Sequence, residues 1–531
     1  MAAHTLAVAG PHEEPSSYKW LIAAAVILGA ALEVLDTSIV NVALPYMQGS
    51  FAASTDEITW VLTSYLVSNG IMIPMTGFIS VRFGRKRYFI FSVMVFVASS
   101  ALCGIAQTLT QMVVFRLLQG AAGAAMIPSS QAILMETFPP NEQALAMATW
   151  GLGLMVAPIL GPTLGGWITT NWTWRWNFYI NVPVGTMAAL MVYWFVHDPA
   201  YLKKQRATGG RIDWLAIILL TSGLGLLQIV LDRGQRSDWF AAGWVRYFML
   251  LSAGSFIVLV LHELRFPEPI LRLRLFKIPD FTASVIMITV MMSALYAVNL
   301  MNPLFLQELM GYDAWQAGLA VASRGLGVIV TMLLVGQLSR AGYDTRPLIP
   351  VGCVVAAYAA WEMSHWDLTV SFTAMQWPII LFGAGGGLIF PLLSASAFTG
   401  VPRERMGYAS SLYNMLRNTG AAIGVSLVSN MLTERGQVHQ THLAQHFSVF
   451  QAWNMSQRGA HMPGAPTFNF MHELATGQKQ GLGMLYNTIQ TQASLLSFND
   501  VYRLFAIAVL VIAPLFVMFR KPPGKSDIPA H

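Results

Sequence analysis

Residues 35–45 read LDTSIVNVALP, in the middle of an apolar run over residues 20–44. A helix needs about 20 such residues to cross a bilayer, so the run is long enough. Yet it holds Asp36, and Glu33 lies three residues earlier, on the same helix face. An ionised carboxylate at the centre of a spanning helix costs at least roughly 2.5 to 3.5 kcal/mol on insertion scales, so such groups face a protein interior or a water-filled path. For Asp36 the placement points to a proton-binding site in a transporter. The simpler alternative is a polar pair that fastens neighbouring helices, and it suits Glu33 as readily.

Outward from this stretch the composition agrees. Charged residues make up 11% of the chain and hydrophobic ones 55%, with a mean hydropathy of +0.54. Ordinary soluble domains carry about 25% charged residues, which excludes a soluble multidomain enzyme. Further runs of spanning length fall at 58–80, 88–106, 112–137, 144–169, 178–196, 214–231, 244–261, 281–309, 315–339, 348–364, 372–398, 406–432 and 501–519. The expectation is an all-α polytopic membrane protein with fourteen transmembrane helices in total. Of the 31 Lys and Arg residues, twenty fall on one side of the membrane and eight on the other. The richer side is cytoplasmic by the positive-inside rule, which puts both termini in the cytoplasm. Scattered over short loops, these cations form no nucleic-acid footprint. Cys103 and Cys353 both sit in apolar runs, leaving no disulfide framework and no Cys-ligated metal site. A GKS or GKT phosphate loop is also missing, which argues against an ATP-driven pump.

Several stretches carry chemistry. At 77–87, GFISVRFGRKR predicts a tight cytoplasmic turn: Gly84 permits the bend, and Arg82, Arg85, Lys86 and Arg87 can bind helix C-terminal carbonyls or lipid phosphates. GQLSRAGYDTR at 336–346 is a degenerate echo of it, as expected of repeated transporter halves. FRLLQGAAGAAMIPSSQ at 115–131 places Arg116 inside the fourth run, where it needs a counter-charge, and Asp36 or Glu33 is the candidate. A moving Arg there could load and unload a proton, while a static ion pair would merely hold two helices together. APILGPTLGG at 157–166 predicts a kinked, closely packed helix. The aromatic residues of NWTWRWNFYINVPVG, 171–185, read as interfacial anchors. In the second half, Tyr296, Asn299, Arg324, Tyr413, Asn414 and Arg417 lie within spanning runs, where they can line a pocket for amphipathic molecules or hydrogen-bond between helices. His439, His442 and His446, in the outer loop, fit an exposed amphipathic helix that contacts a partner better than a zinc site.

As a set, LDTSIVNVALP, GFISVRFGRKR, FRLLQGAAGAAMIPSSQ, APILGPTLGG, WRWNFYINVPVG and LLQIVLDRGQRSDWF (226–240) resemble the major facilitator superfamily, specifically its fourteen-helix drug:proton antiporter branch of EmrB-type multidrug exporters. The resemblance spans residues 19–521. It implies two six-helix bundles plus two inserted transmembrane helices: a cytoplasmic tail at 1–18, an N-terminal bundle at 19–197, a linker and inserted pair at 198–264, a C-terminal bundle at 265–519 with a periplasmic loop at 433–500, and a cytoplasmic tail at 520–531. It further implies export of hydrophobic compounds by alternating access in exchange for protons, without a cofactor. Partners would be the bilayer, a periplasmic adaptor (membrane fusion protein) and an outer-membrane channel, in a bacterial inner membrane. Proton coupling then falls to Asp36, Glu33 and Arg116, and conformational gating to Gly77, Gly84, Arg85, Lys86, Arg87, Gly161, Pro162, Gly165 and Gly166. Substrate contact is expected at Asn41, Gln119, Gln131, Tyr296, Asn299, Tyr413, Asn414 and Arg417. Val81 stands where the loop motif usually has an Asp that locks the outward-facing state, so the gate lacks its usual acid. Two other classes remain: a proton-coupled importer on the same fold, against which the 157–166 motif speaks, and a membrane-embedded enzyme or receptor, which would cluster His or acidic residues within the spanning runs.

Overall fold

The structure, a computed structural model, describes residues 16–139, 142–198, 213–237, 239–266, 269–341, 343–445 and 479–519. Regular structure among them is helical throughout. Lipid offers backbone groups no partner, and a helix satisfies its own. Joined across their local breaks, the segments make fourteen helices, and eleven stretches are long and apolar enough to cross a membrane. The first bundle comprises α1 (Ser16–Phe51), α2 (Trp60–Phe83), α3 (Arg85–Ile105), α4 (Leu109–Thr137), α5 (Gln143–Asn171) and α6 (Trp176–Phe195). Next come α7 (Trp214–Arg233) and α8 (Gly243–Arg265). The second bundle holds α9 (Pro279–Leu309), α10 (Ala314–Arg340), α11 (Leu348–Met363), α12 (Phe372–Phe398), α13 (Met406–Gln445) and α14 (Lys479–Ile512). α2 tightens to a 3-10 turn at Ile73–Met75, where Pro74 has no N–H to give.

Within the first bundle α1 lies against α5 and α6 while α4 packs on α2 and α3; in the second, α12 takes α10 and α11, and α13 takes α9 and α14. α7 and α8 pair with each other outside both bundles, and α7 also reaches α2 and α13. Direct contacts between the bundles gather at the end that carries Arg82, Arg85 and Arg340. A Cβ on Gly77 would come within 2.7 Å of the Gly407 carbonyl and 2.8 Å of Tyr408 Cα, so glycine alone permits this crossing of α2 and α13. Beside it the Ser410 hydroxyl donates to the Pro128 carbonyl at 2.7 Å, Asn414 Nδ2 donates to Gln131 Oε1 at 2.6 Å, and Trp150 stacks on Phe390 with ring centroids 5.8 Å apart. At the opposite end α13 parts from the 60–72 portion of α2.

Two boundaries differ from expectation. α13 runs on to Gln445 instead of stopping near 432, and α14 begins at Lys479 instead of 501, so both described ends of the 433–500 connection are helical. Packing extends them: Ala493, Leu495 and Phe498 are buried, and His439 Nε2 meets Asp500 Oδ2 at 2.9 Å. The histidine-bearing stretch is therefore helical, but as the end of α13, with His439 turned toward α14 rather than left for a partner. No group of three metal-ligating side chains occurs among the described residues. His446, the rest of the loop to 478, the basic residues between 199 and 212, and the tails at 1–15 and 520–531 lie outside the described residues.

Gly77→Val inserts an isopropyl group into the α2–α13 crossing, an overpacking that costs typically about 1–3 kcal/mol. A Gln131→Cys, Asn414→Cys pair should be bridged by a short bis-thiosulfonate, and adding Gly77→Val should at least halve the yield. Equal yields would show that the crossing does not hold the two ends together.

Candidate functional site

Close packing brings the first-helix acid into an enclosed position. A Cβ on Gly161 would sit 2.4 Å from Ser38 Cβ, and one on Gly165 would sit 3.1 Å from Ile39 Cγ2, so α5 lies directly on α1 beside Asp36. Gly166 would make only an ordinary contact with Val42, and the side chain of Pro162 lies outside the described residues. Asp36 is fully buried.

Its partners come from two other helices. Arg116 of α4, also fully buried, donates through Nη1 to Asp36 Oδ2 at 2.6 Å. Gln119, one turn on, gives its Nε2 to Asp36 Oδ1 at 2.9 Å, and Asn181 of α6 adds a third bond to the same oxygen at 2.7 Å. The donors are themselves held. Arg116 Nε bonds the Val61 carbonyl at 3.1 Å, Nη1 reaches Gln119 Oε1 at 2.8 Å, and the guanidinium lies 4.2 Å from the Tyr65 ring centroid. Asn181 also donates to Ser100 Oγ, 2.9 Å away, whose hydroxyl in turn donates to the Phe178 carbonyl. A carboxylate only accepts, and three N–H donors converge on this one, so a proton on either oxygen would confront a donor.

Glu33 sits differently. It is buried, Asn69 Nδ2 of α2 donates to its Oε1 at 2.8 Å, and Oε2 has no hydrogen-bond partner. One helix face thus presents two carboxylates with opposite surroundings.

At the inter-bundle contact, Gly84 adopts φ +93°, a conformation that suits glycine, and starts α3. Buried Arg85 forms an ion pair with Glu136 at the end of α4, which supplies an acid beside the loop where Val81 supplies none. Lys86 gives its ammonium to the Tyr193 carbonyl at 2.5 Å and its backbone N–H to Asp198 at 2.8 Å, whereas Arg87 is exposed.

The eight residues expected to contact substrate do not form one pocket. Gln119 belongs to the Asp36 cluster. Exposed Asn41 donates to the Thr37 carbonyl of its own helix at 3.0 Å. Gln131 and Asn414 tie the bundles together, and buried Tyr413 exchanges a hydrogen bond with Ser394 at 3.2 Å. Arg417 Nη1 donates to Asn414 Oδ1 at 3.0 Å, and Arg324 donates to Asn299 Oδ1. Tyr296 of α9, by contrast, is 44% exposed and lines a cavity of about 200 Å³ between α2, α7, α9 and α13. Asn181, Ser100, Tyr65 and Asn69 escaped the sequence reading. Asn181 lay inside the quoted WRWNFYINVPVG stretch, where the tryptophans suggested anchoring only.

The profile of the Major Facilitator Superfamily matches residues 26–425. The chain belongs to this superfamily. Within it, the multidrug export protein EmrB of Haemophilus influenzae is 33% identical over 506 residues, covering 95% of this chain and 96% of the relative. The fatty acid resistance protein FarB of Neisseria gonorrhoeae matches at the same identity and coverage. The colistin resistance protein EmrB of Acinetobacter baumannii is 31% identical over 96% of this chain and 97% of its own. Among solved superfamily structures, the proton:xylose symporter XylE superposes with a TM-score of 0.59 at 13% identity, over 93% of this chain and 95% of the other. The human organic anion transporter MFSD10 gives the same score at 14% identity, over 93% of this chain and 100% of the other. At those identities the likeness speaks for the fold alone.

Removing one member of a buried ion pair strands the other, at a cost of about 3–5 kcal/mol. Arg116→Met should therefore lower the melting temperature in detergent, and adding Asp36→Asn should recover most of the loss. A double variant no more stable than Arg116→Met would show that charge does not connect the two residues.

Proposed function

We propose that the chain is a proton-coupled exporter of hydrophobic or amphipathic compounds, working by alternating access as an antiporter. The observation that carries this reading is the pair of carboxylates on α1: Asp36 sealed and matched by three donors, Glu33 with one oxygen free of any donor. Release of Arg116 from Asp36 would leave a buried carboxylate that favours protonation, and its return would expel the proton. The functions that the relatives are named for, multidrug export, fatty acid resistance and colistin resistance, support amphipathic molecules as cargo.

Direction and orientation form part of the proposal. With the basic end cytoplasmic, as the positive-inside rule requires, the bundles meet at the cytoplasmic end and the molecule faces outward. The Gly77–Gly407 crossing and the Arg85–Glu136 pair close that gate, so Glu136 does the work that the missing loop acid does elsewhere. Both termini are cytoplasmic, the bundles divide at 19–197 and 265–519 with all fourteen helices spanning, and the host membrane is a bacterial inner membrane. An adaptor, and through it an outer-membrane channel, would dock on the outer connection at 433–500. One proton crossing about 100 mV releases roughly 2.3 kcal/mol, enough for a gradient of tens-fold, so no nucleotide is required.

The test is substrate-induced proton release from purified protein at pH 6 to 8, with Asp36→Asn, Glu33→Gln and the double variant beside the unaltered chain. Release should vanish with Asp36→Asn and survive, diminished, with Glu33→Gln. Undiminished release from the double variant would remove both carboxylates from the coupling.

A further inference from the structure

The inserted helix α7 is more than a spacer. Its outer end is fastened to the first bundle, where Asp232 accepts from the Thr63 hydroxyl at 2.5 Å and Arg233 donates to Thr59 Oγ1 at 3.0 Å while lying over Trp60. Just beyond, Gln235 Nε2 donates to Thr433 Oγ1 of α13 at 3.0 Å. α7 thus spans the gap where α2 and α13 part, and the cavity of about 200 Å³ lies in the wedge behind it. Leu66 of α2, Leu227 of α7 and Met415 of α13 give it an apolar wall. Gln228 and Asn418 add side-chain amides that bond no other described residue. Exposed Leu66 of α2 and Tyr296 of α9, at 45% and 44%, both line this wedge among four helices, which leaves them uncovered.

From this geometry we infer that the wedge is a substrate subsite, with α7 as its specificity-determining wall, for an uncharged, ring-sized group that carries a hydrogen-bond acceptor. Size sets the first limit. Drug-sized ligands occupy about 300–1,000 Å³, and a cavity near 150 Å³ holds a benzene ring, so the wedge accommodates one ring of a larger molecule. Charge sets the second. Asp232 is the one ionic side chain among the lining residues, and it is already engaged by Thr63 and Arg233. An ionic group in the wedge would find no free counter-charge, whereas a carbonyl or ether oxygen finds amide N–H groups on Gln228 and Asn418. The subsite also adjoins the proton-binding region: Asn69 lines it and donates to Glu33. The inference rests on the export reading for its role in transport, though not for its binding.

Benzophenone, a neutral diaryl ketone that inserts into C–H bonds under ultraviolet light, is a suitable probe. The full chain in lipid nanodiscs is photolabelled and the adducts are located by mass spectrometry. Adducts are expected on α7 between 224 and 231 and at Met415 of α13. Leu227→Trp, which fills the wedge, should cut them at least fivefold, and Gln228→Leu, which keeps the volume and removes the amide, at least threefold. Val354→Ala, on the exposed face of α11 and outside the wedge, should leave labelling unchanged, and because the readout is bound label rather than proton release, a failure of proton coupling does not disturb it. Labelling confined to other helices, or equal in the unaltered chain and both wedge variants, would overturn the inference. Should Leu227→Trp fail to fold, Gln228→Leu alone decides.

Discussion

Everything in the first bundle answers to one constraint: an ionised carboxylate cannot be left unpaired in hydrocarbon. Asp36 draws Arg116 from α4 and Asn181 from α6, and Gln119 completes the set. Those bonds fasten two helices, α4 and α6, to α1. Glycines at 161 and 165 then let α5 approach so closely that neither lipid nor a side chain intervenes. Charge and close packing are two halves of one solution here, because a looser seam would admit water and weaken the pair that the seam protects.

The second constraint is mechanical. A transporter that exposes its centre to one side at a time needs contacts that can be made and broken as units. The Gly77 crossing, the Asn414 to Gln131 hydrogen bond and the Trp150 to Phe390 stack all connect the bundles near one end of the molecule. They lie together at that end, a geometry suited to rocking. Fastened to both sides of the opposite wedge, α7 converts an open seam between bundles into a walled cavity, which gives this helix a physical purpose that hydropathy alone does not suggest.

Much of this was legible in the residues. Asp36, Arg116 and the glycines of APILGPTLGG announced themselves as charges and backbone breakers in apolar runs, and the structure brings all of them together at one place. The residues expected to contact substrate also hold helices together. Gln119, Gln131 and Asn414 are polar groups in spanning helices, as a binding site requires, and each hydrogen-bonds a partner on another helix. Nothing in a linear pattern distinguishes an amide that waits for a ligand from one that has found a neighbour. The ends of α13 and α14 were missed for a related reason, since their polar outer turns are helical by virtue of contacts such as His439 with Asp500, and not by hydropathy.

The sequence by itself determined that the chain spans a membrane many times, which side bears the cations, and that a carboxylate and an arginine lie buried within it, because transfer of each residue into lipid has a cost set by its own chemistry. Tertiary structure alone decided that Arg116 chooses Asp36 over Glu33, that Asn181 is the third donor, and that Gln228 and Asn418 remain free. Those outcomes depend on which helix faces which, and that is a property of distances between residues far apart in the chain.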